Sequence, residues 1–287
     1  MSDYFPYDQD SVLQQLCGSI STCRAGQCPV VQRHPFYPIP ARPPFYYGRR
    51  PCLPVVPTYL TKGRAMIVGE YPNCRFATIL NSKTGQQEEL VPIADINEPF
   101  EGGRYFNGRQ IQLYPTGKSL LENYFLPLGL DWETGVWLTN AVKCFLLKKE
   151  HIELYRRLGW MKPETSASYD AYFKAAAVCV QSHLARELAI CQPKLVIGLG
   201  ERVYRLMHGS DDLKTPAPDS PSFDQITGVP LRAGIVSHPW DTRNALFKNL
   251  NVIHLFHPSG LIREESIRDK HLKDIPPTKS FIQELGL

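Results

Sequence analysis

Three separated stretches of the sequence place reactive or hydrogen-bonding side chains directly after short apolar runs. These are Glu70 after residues 65–69, Asn140 after residues 136–138, and His257 after residues 252–256. A carboxylate can orient water, a carboxamide can both donate to and accept from the edge of a ligand, and an imidazole can donate to a developing negative charge. Each of these residues alone is weak evidence for a functional site. An Asn after a strand, for example, is most often a turn-former that bonds its own backbone.

The elements around these residues predict where the three side chains lie. Apolar runs that read as buried strands alternate with helical patterns, which predicts a mostly parallel sheet covered on both faces. The predicted strands are 65–68, 136–138, 194–200 and 252–256, and the predicted helices are 118–128, 169–190 and 201–207. Because the carboxyl ends of parallel strands share one rim of the sheet, we expect Glu70, Asn140 and His257 to line one pocket.

Composition sets broad limits on the kind of protein. The chain has 287 residues and a net charge of +4, which permits a nucleic-acid partner without requiring one. No apolar run reaches the length of a membrane span, and the first ten residues lack a secretion signal pattern. We therefore expect a soluble intracellular protein.

The N-terminal region differs in composition from the rest of the chain. Residues 29–57 contain nine prolines among several aromatic residues, which predicts an extended arm packed on the domain, with a flexible linker as the alternative. Four of the eight cysteines also lie before residue 53, and in an intracellular chain they favour metal, cluster or simple burial over disulfides. We predict an arm at residues 1–61 and a domain at 62–287, with an insertion at about 145–170.

Five motifs in order resemble the uracil-DNA glycosylase superfamily over residues 62–265. They lie at Val68–Asn73, Gly103–Arg109, Asn140–Cys144, Cys179–Gly200 and His257–Arg263. The chain is most similar to the iron–sulfur type called family four, with a divergent first motif. The resemblance implies a three-layer α/β/α sandwich with a central, mostly parallel four-stranded sheet.

The resemblance also implies roles for the residues at the strand ends. The protein would flip a base out of DNA and hydrolyse its N-glycosidic bond with water, without a lysine imine. His257, Glu70 and Asn140 would be catalytic: His257 would donate to a base oxygen, Glu70 would orient water or the sugar, and Asn140 would read the base edge. The base-binding set would be Gly69, Tyr71, Phe106 and Asn140. The DNA-binding set would be Ser259, Gly260, Leu261 as an apolar wedge, and Arg263.

A four-iron cluster is the cofactor that the resemblance implies. Its ligands would be Cys23, Cys28, Cys144 and Cys179, with Cys17 as the alternative to Cys23. The spacing from Cys23 to Cys28 is wider than in the family. Zinc at the same cysteines is the second interpretation, and unligated buried cysteines are the third.

The first motif departs from the family pattern, which leaves the substrate open between uracil and another base. Tyr71 stands where the family has a small residue, so a bulky modified pyrimidine is an alternative, as in defence against phage with modified DNA. A non-catalytic, cluster-bearing DNA-binding protein is the other alternative. We expect DNA as the partner, no membrane association, a monomer, and a location in the cytoplasm or nucleoid of a prokaryotic cell.

Overall fold

The computed structural model describes most of the chain outside the proline-rich arm and several loops. The described residues are 10–23, 25–29, 54–72, 75–80, 87–93, 104–106, 111–113, 115–131, 134–146, 149, 152–153, 156, 171–208, 221–236, 238, 241 and 243–287. Most of the predicted arm, most of the predicted insertion at 145–170 and the Pro-rich stretch 209–220 lie outside these residues.

The centre of the protein is a four-stranded parallel sheet made of β1 (Ala65–Gly69), β6 (Val136–Asn140), β7 (Leu195–Leu199) and β8 (Val252–Leu255). The order of the strands across the sheet is β6, β1, β7, β8. Every residue of the four strands is buried, as expected for parallel strands covered by helices on both faces. The sheet predicted from the apolar runs is confirmed.

Alternate residues of each strand point to opposite faces of the sheet and enter two separate cores. Met66, Val68 and Trp137 contribute to a core that also contains Cys28, Cys144 and Cys179, which we call the cysteine face. Ala65, Ile67, Leu138 and Phe281 contribute to the other core, which we call the C-terminal face. The three-layer α/β/α arrangement implied by the family resemblance is confirmed.

Helices flank the sheet on both sides. They are α1 (Ser11–Ser21), α2 (Pro115–Leu120), α3 (Leu126–Leu128), α4 (Tyr172–Cys179), α5 (Ala185–Cys191), α6 (Glu201–His208), α7 (Phe223–Ile226), α8 (Pro258–Arg263) and α9 (Glu265–Glu284). The predicted helices 118–128 and 169–190 are each interrupted by a π-helical turn, at Leu121–Phe125 and Val180–Leu184. Such turns often occur at functional sites.

The long helix α9 was not predicted from the sequence, because Pro276 and Pro277 lie inside it. Tertiary packing overrides that local preference. Phe281 and Ile282 enter the core of the C-terminal face, and the His271 ring lies 4.3 Å from the Tyr124 ring, centroid to centroid. His271 Nε2 also lies 2.9 Å from the carbonyl oxygen of Asn123.

Smaller elements complete the described part of the chain. Two antiparallel hairpins lie between β1 and α2 in the chain, and they are β2 (Arg75–Leu80) with β3 (Gln87–Ile93) and β4 (Arg104–Phe106) with β5 (Ile111–Leu113). The end of the proline-rich arm is packed, because Thr58 exchanges backbone hydrogen bonds with Leu138 in β6. Within the described residues, no helix has the length and apolar character needed to cross a bilayer.

Candidate active site

Three strand ends meet around Gly200, which follows β7. Its φ of +94° lies in the left-handed region that favours glycine. A Cβ at this position would lie 2.7 Å from Oε1 of Glu70 and 3.2 Å from Cβ of His257. Glu70 and His257 approach residue 200 so closely that it must be glycine. The Glu70 carboxylate and the His257 side chain therefore lie on either side of Gly200.

The Glu70 carboxylate is held by the start of helix α6. The backbone N–H of Arg202 donates to it, and the Arg202 guanidinium lies 3.5 Å from Glu70 Oε2. Burial raises the pKa of Glu70, and Arg202 opposes that shift. The carboxylate is therefore partly desolvated but retains a cationic partner, which suits a group that orients water or a sugar hydroxyl.

His257 caps the N-terminus of α8 and has a defined tautomer. Its Nδ1 accepts the backbone N–H of Ser259 at 3.3 Å and lies 2.8 Å from the Ser259 hydroxyl. Burial, with Arg263 and Arg202 nearby, lowers the pKa of His257 to about 4. The ring is therefore neutral at pH 7, and because Nδ1 is an acceptor, Nε2 carries the proton and is a donor.

Asn140 ends β6 beside Gly69 at the end of β1. The turns after the two strands are joined, because the backbone N–H of Val142 donates to the carbonyl of Glu70 at 3.0 Å. Asn140 is 2% exposed, and within the described residues its Nδ2 has no hydrogen-bond partner. A buried unsatisfied donor costs about 1–3 kcal/mol, so this amide is poised to bind a ligand.

A buried ion pair lies directly beneath Asn140. Lys143 Nζ lies 2.5 Å from Glu187 Oε1 and donates to the Asn140 carbonyl at 2.7 Å and the Thr139 hydroxyl at 2.5 Å. The Trp137 indole N–H donates to Glu187 Oε2 at 3.1 Å. This network fixes the strand end that carries Asn140 to helix α5.

Two aromatic rings and one guanidinium lie beside Glu70. Tyr71 contacts Tyr172 edge to face, with centroids 6.1 Å apart, and the Arg202 guanidinium lies 5.1 Å from the Tyr172 ring centroid. Neither Arg202 nor Tyr172 was predicted from the sequence. Arg202 follows the end of β7, so the same strand-end rule that identified Glu70 was available for it, whereas no sequence signal marks Tyr172.

The remaining predicted residues are distributed around this rim. Ser259 is bonded to His257, and Arg263 is close enough to affect the His257 pKa. Leu261 is 1% exposed and packs in the core, whereas its neighbour Ile262 is 45% exposed. Phe106 ends β4, but its side chain lies outside the described part of the structure.

Three of the four cysteines predicted as cluster ligands, Cys28, Cys144 and Cys179, are buried in the core of the cysteine face, whereas Cys23 is only partly buried. Burial raises the pKa of Cys179 to about 12, and the thiols of Cys28 and Cys23 contribute to that shift. Cys144 is buried in the same core. The pKa of Cys17 is raised to about 11 by burial and by Glu187, with Lys143 opposing the shift, and no other cysteine among the described residues contributes to it.

Cluster binding also requires that these thiols come close enough together. In this structure, the described residues contain no group of three or more His, Cys, Asp or Glu side chains close enough together to coordinate a metal ion. The donor set, with thiols from the loop after α1 near the thiol of α4, has the chemistry that a soft metal or an iron–sulfur cluster needs.

The fold and the rim define a class of protein: an open α/β domain with polar groups gathered at the carboxyl ends of parallel strands, where such domains bind ligands. The profile of the uracil DNA glycosylase superfamily matches residues 59–277. The chain belongs to this superfamily, which indicates DNA glycosylase activity. A search of curated proteins found no match.

Proposed function

We propose that the protein is a monofunctional DNA glycosylase that flips a uracil or a modified pyrimidine out of DNA and hydrolyses its N-glycosidic bond. The observation that carries the proposal is the convergence of Glu70 and His257 on the two sides of Gly200. A carboxylate and a neutral imidazole at one point can act on the sugar and on the leaving base together.

His257 is proposed to stabilise the departing base. Negative charge grows on a base oxygen as the glycosidic bond breaks, and a preorganised donor at that oxygen is typically worth about 2.7–4 kcal/mol. The Nε2–H of a ring whose pKa is about 4 is such a donor at neutral pH. The hydrogen bond from Ser259 to Nδ1 holds the ring in place.

Glu70 is proposed to orient the attacking water or the sugar, with Arg202 favouring the ionised form of its carboxylate against the effect of burial. The nucleophile is water in this proposal. Lys143 lies close in sequence to Asn140, but its amine is buried and bound to Glu187, Thr139 and the Asn140 carbonyl, which opposes imine formation.

The base and the DNA would be held by residues around this centre. Asn140 would read the base edge with its unpaired Nδ2, Gly69 and Tyr71 would form the pocket wall, and Phe106 would stack on the base. Contacts to the DNA backbone are proposed for Ser259, Gly260 and Arg263, whose segment begins at the N-terminus of α8. Leu261 would fill the gap left by the base only if it left the core, and its exposed neighbour Ile262 is the alternative.

A four-iron cluster held by Cys23, Cys28, Cys144 and Cys179 is also proposed, with zinc as the alternative. When bound, it would be a structural link joining the loop after α1, the turn after β6 and helix α4. The influence of Cys23 on the Cys179 pKa favours Cys23 over Cys17 as a ligand. Protein purified without oxygen should be brown, with one cluster's iron per chain, and each of the four cysteines changed to Ala should remove the colour. A colourless, zinc-loaded preparation would contradict the iron assignment.

Base release is the experiment that tests the main proposal. The purified protein is incubated with duplex and single-stranded oligonucleotides containing uracil, thymine or a 5-modified pyrimidine, and abasic sites are revealed by alkaline cleavage. Cleavage at one of these bases, lost in His257→Ala, is the expected result. DNA binding without release of any base would favour the non-catalytic alternative. A role in defence against phage with modified DNA would require release of a modified base.

A further inference from the structure

His257 lies just beyond the end of the central sheet, where backbone pairing between strands has stopped. The pairing of β7 with β8 ends at Leu255, whose carbonyl accepts the N–H of Gly200 at 2.9 Å. Phe256 and His257 follow this last paired residue. The position of the His257 ring therefore depends on other contacts that hold this short segment.

Two planar peptide groups meet at the Cα of His257, and both are held by hydrogen bonds. The group that follows carries the His257 carbonyl, which accepts the N–H of Gly260 at 2.9 Å. The group that precedes carries the Phe256 carbonyl, which accepts the hydroxyl of Tyr124 at 2.5 Å. Since the orientations of these two groups set φ and ψ of His257, the Tyr124 hydroxyl helps to fix the direction in which the imidazole leaves the backbone.

Tyr124 is suited to this task because it is itself firmly held. It is 1% exposed and lies in the π-helical turn Leu121–Phe125, where its ring packs 4.3 Å from the His271 ring, centroid to centroid. Burial, with the charge of Asp274, raises the pKa of Tyr124 well above its ordinary value. The hydroxyl therefore keeps its proton and remains a donor.

Helix α9 also supports the backbone of this π-helical turn. His271 Nε2 lies 2.9 Å from the carbonyl oxygen of Asn123, and because a carbonyl can only accept, Nε2 is the donor. The usual α-helical donor to this carbonyl would be residue 127, which is a proline without an N–H. The imidazole thus supplies a bond that the α-helical pattern cannot make there, and it holds the turn that carries Tyr124.

A second hydroxyl reaches the residue after His257 from helix α2. Ser119, which is 4% exposed, donates to the carbonyl of Pro258 at 3.4 Å. The Ser119 oxygen in turn accepts the side-chain N–H of Asn123 at 3.0 Å. This bond to Pro258 is longer than the one from Tyr124, so we expect it to be the weaker of the two.

We propose that Tyr124 is a positioning residue for His257, whose hydroxyl fixes the preceding peptide group and thereby aims Nε2–H at the departing base, with Ser119 assisting at Pro258. This inference rests on the proposed glycosylase function and adds the residues that keep its donor in place. A hydrogen-bond donor stabilises a transition state best when it is already oriented, and a displacement of about 1 Å can cost about 10²-fold in rate.

The test removes one hydroxyl at a time from the full-length protein. Tyr124→Phe keeps the ring against His271, and Tyr204→Phe is the matched control, because the Tyr204 hydroxyl also donates to a backbone carbonyl, that of Pro221, at 3.3 Å. Single-turnover base release is measured with protein in excess, well below the melting temperature of each variant. Tyr124→Phe should release the base about tenfold more slowly with unchanged DNA affinity, and Tyr204→Phe should keep the wild-type rate.

The same deletion in a His257→Ala background separates positioning from a merely structural role. If Tyr124 acts through His257, Tyr124→Phe should cause no further loss of rate in His257→Ala. An equal loss in both backgrounds, or no loss in the wild-type background, overturns the inference. If Tyr124→Phe does not fold, Ser119→Ala takes its place. Its expected loss is about threefold and should also disappear in His257→Ala, and an unchanged rate in Ser119→Ala then overturns the inference.

A spectroscopic readout distinguishes failure of the inference from failure of the proposed function. In protein containing isotope-labelled histidine, the NMR signals of the His257 ring are assigned by their absence in His257→Ala. Tyr124→Phe should shift these signals, and Tyr204→Phe should leave them in place. If the wild type releases no base from any DNA, the proposed function fails and the signals alone decide: shifted His257 signals support the positioning by Tyr124, and unmoved signals overturn it.

Discussion

The two faces of the central sheet are packed with different chemistry. The cysteine face buries the Lys143–Glu187 ion pair, several thiols and the imidazole of His183, which has no hydrogen-bond partner among the residues that the structure describes. The C-terminal face is filled mainly by aliphatic and aromatic side chains such as Ile67, Leu138 and Phe281. Buried charge is weak evidence for stability, because desolvation offsets much of the attraction. Because Lys143 contacts the Asn140 carbonyl, we expect changes to its ion pair to affect the active-site rim as well as stability, and changes to apolar residues such as Ile67 or Leu138 to affect mainly stability.

The largest effect is expected from breaking the buried ion pair between Lys143 and Glu187. Lys143→Met leaves Glu187 buried without its cation, which should cost about 3–5 kcal/mol of unfolding free energy. Urea denaturation measures this loss. The double variant Lys143→Met/Glu187→Leu should recover most of the stability, because it removes both charges.

Base release distinguishes a positioning role from a structural one. The double variant still lacks the hydrogen bond from Lys143 to the Asn140 carbonyl, so its rate should stay below wild type after its stability returns. On the C-terminal face, Ile197→Val should cost about 0.5–1.5 kcal/mol and leave the rate unchanged. Equal rates in the double variant and the wild type would show that the ion pair does not position Asn140.

A change at the rim itself should affect the rate more than the stability. His257→Ala removes the proposed donor to the base oxygen, and the single-turnover rate should fall about 10²–10³-fold. Ser259→Ala is a matched control, because it removes the hydroxyl beside His257 Nδ1 but keeps the backbone N–H bond, and its loss should be smaller. Retained activity in His257→Ala would remove His257 from the mechanism.

Acid should destabilise the protein through its buried histidines. Burial lowers the pKa values of His183, His208 and His257 to about 4, against 6.5 for an ordinary histidine. The unfolded chain therefore binds more protons between pH 6.5 and 4, so stability is complete above that window and falls as the pH decreases through it. Melting temperatures across this range measure the effect.

One variant assigns part of this acid sensitivity to the cysteine face. His183→Leu removes a buried imidazole whose ring nitrogens have no partner in the described part of the chain, so its melting temperature should fall less steeply with acid. Parallel curves for the variant and the wild type would show that His183 does not contribute.

The smallest effect concerns the apolar side chain that fills the gap left by a flipped base. Leu261, the residue proposed to fill this gap, is buried, whereas its neighbour Ile262 is exposed. If Ile262 enters the duplex, Ile262→Ala should lower release from duplex DNA by about fivefold, roughly 1 kcal/mol, and spare single-stranded DNA. The exposed Leu272 of α9 supplies the control, since Leu272→Ala should change neither rate. If Ile262→Ala released the base from duplex DNA at the wild-type rate, Ile262 would not fill the gap, and Leu261 would remain the proposed residue.

Much of the fold was predictable because its central strands are buried on both faces. Such strands are short continuous apolar runs, and those at 65–68, 136–138, 194–200 and 252–256 all form the sheet. Helix α9 was not predictable from local preference, because its two prolines oppose helix and only the packing of its last turns offsets them. The superfamily was also identifiable from ordered motifs, and the family match covers nearly the same residues.

The sequence by itself determined which residues follow the strands, and therefore that Glu70, Asn140 and His257 share one rim. Chain direction and strand order are enough for that, because parallel strands end on the same side. Tertiary structure alone decided that Arg202 pairs with Glu70, that Tyr172 packs on Tyr71, and that Lys143 joins Glu187. These partners come from helices distant in the chain, and their contacts depend on how each helix is rotated and packed against the sheet. The periodicity of apolar residues along the chain does not determine these contacts between distant side chains.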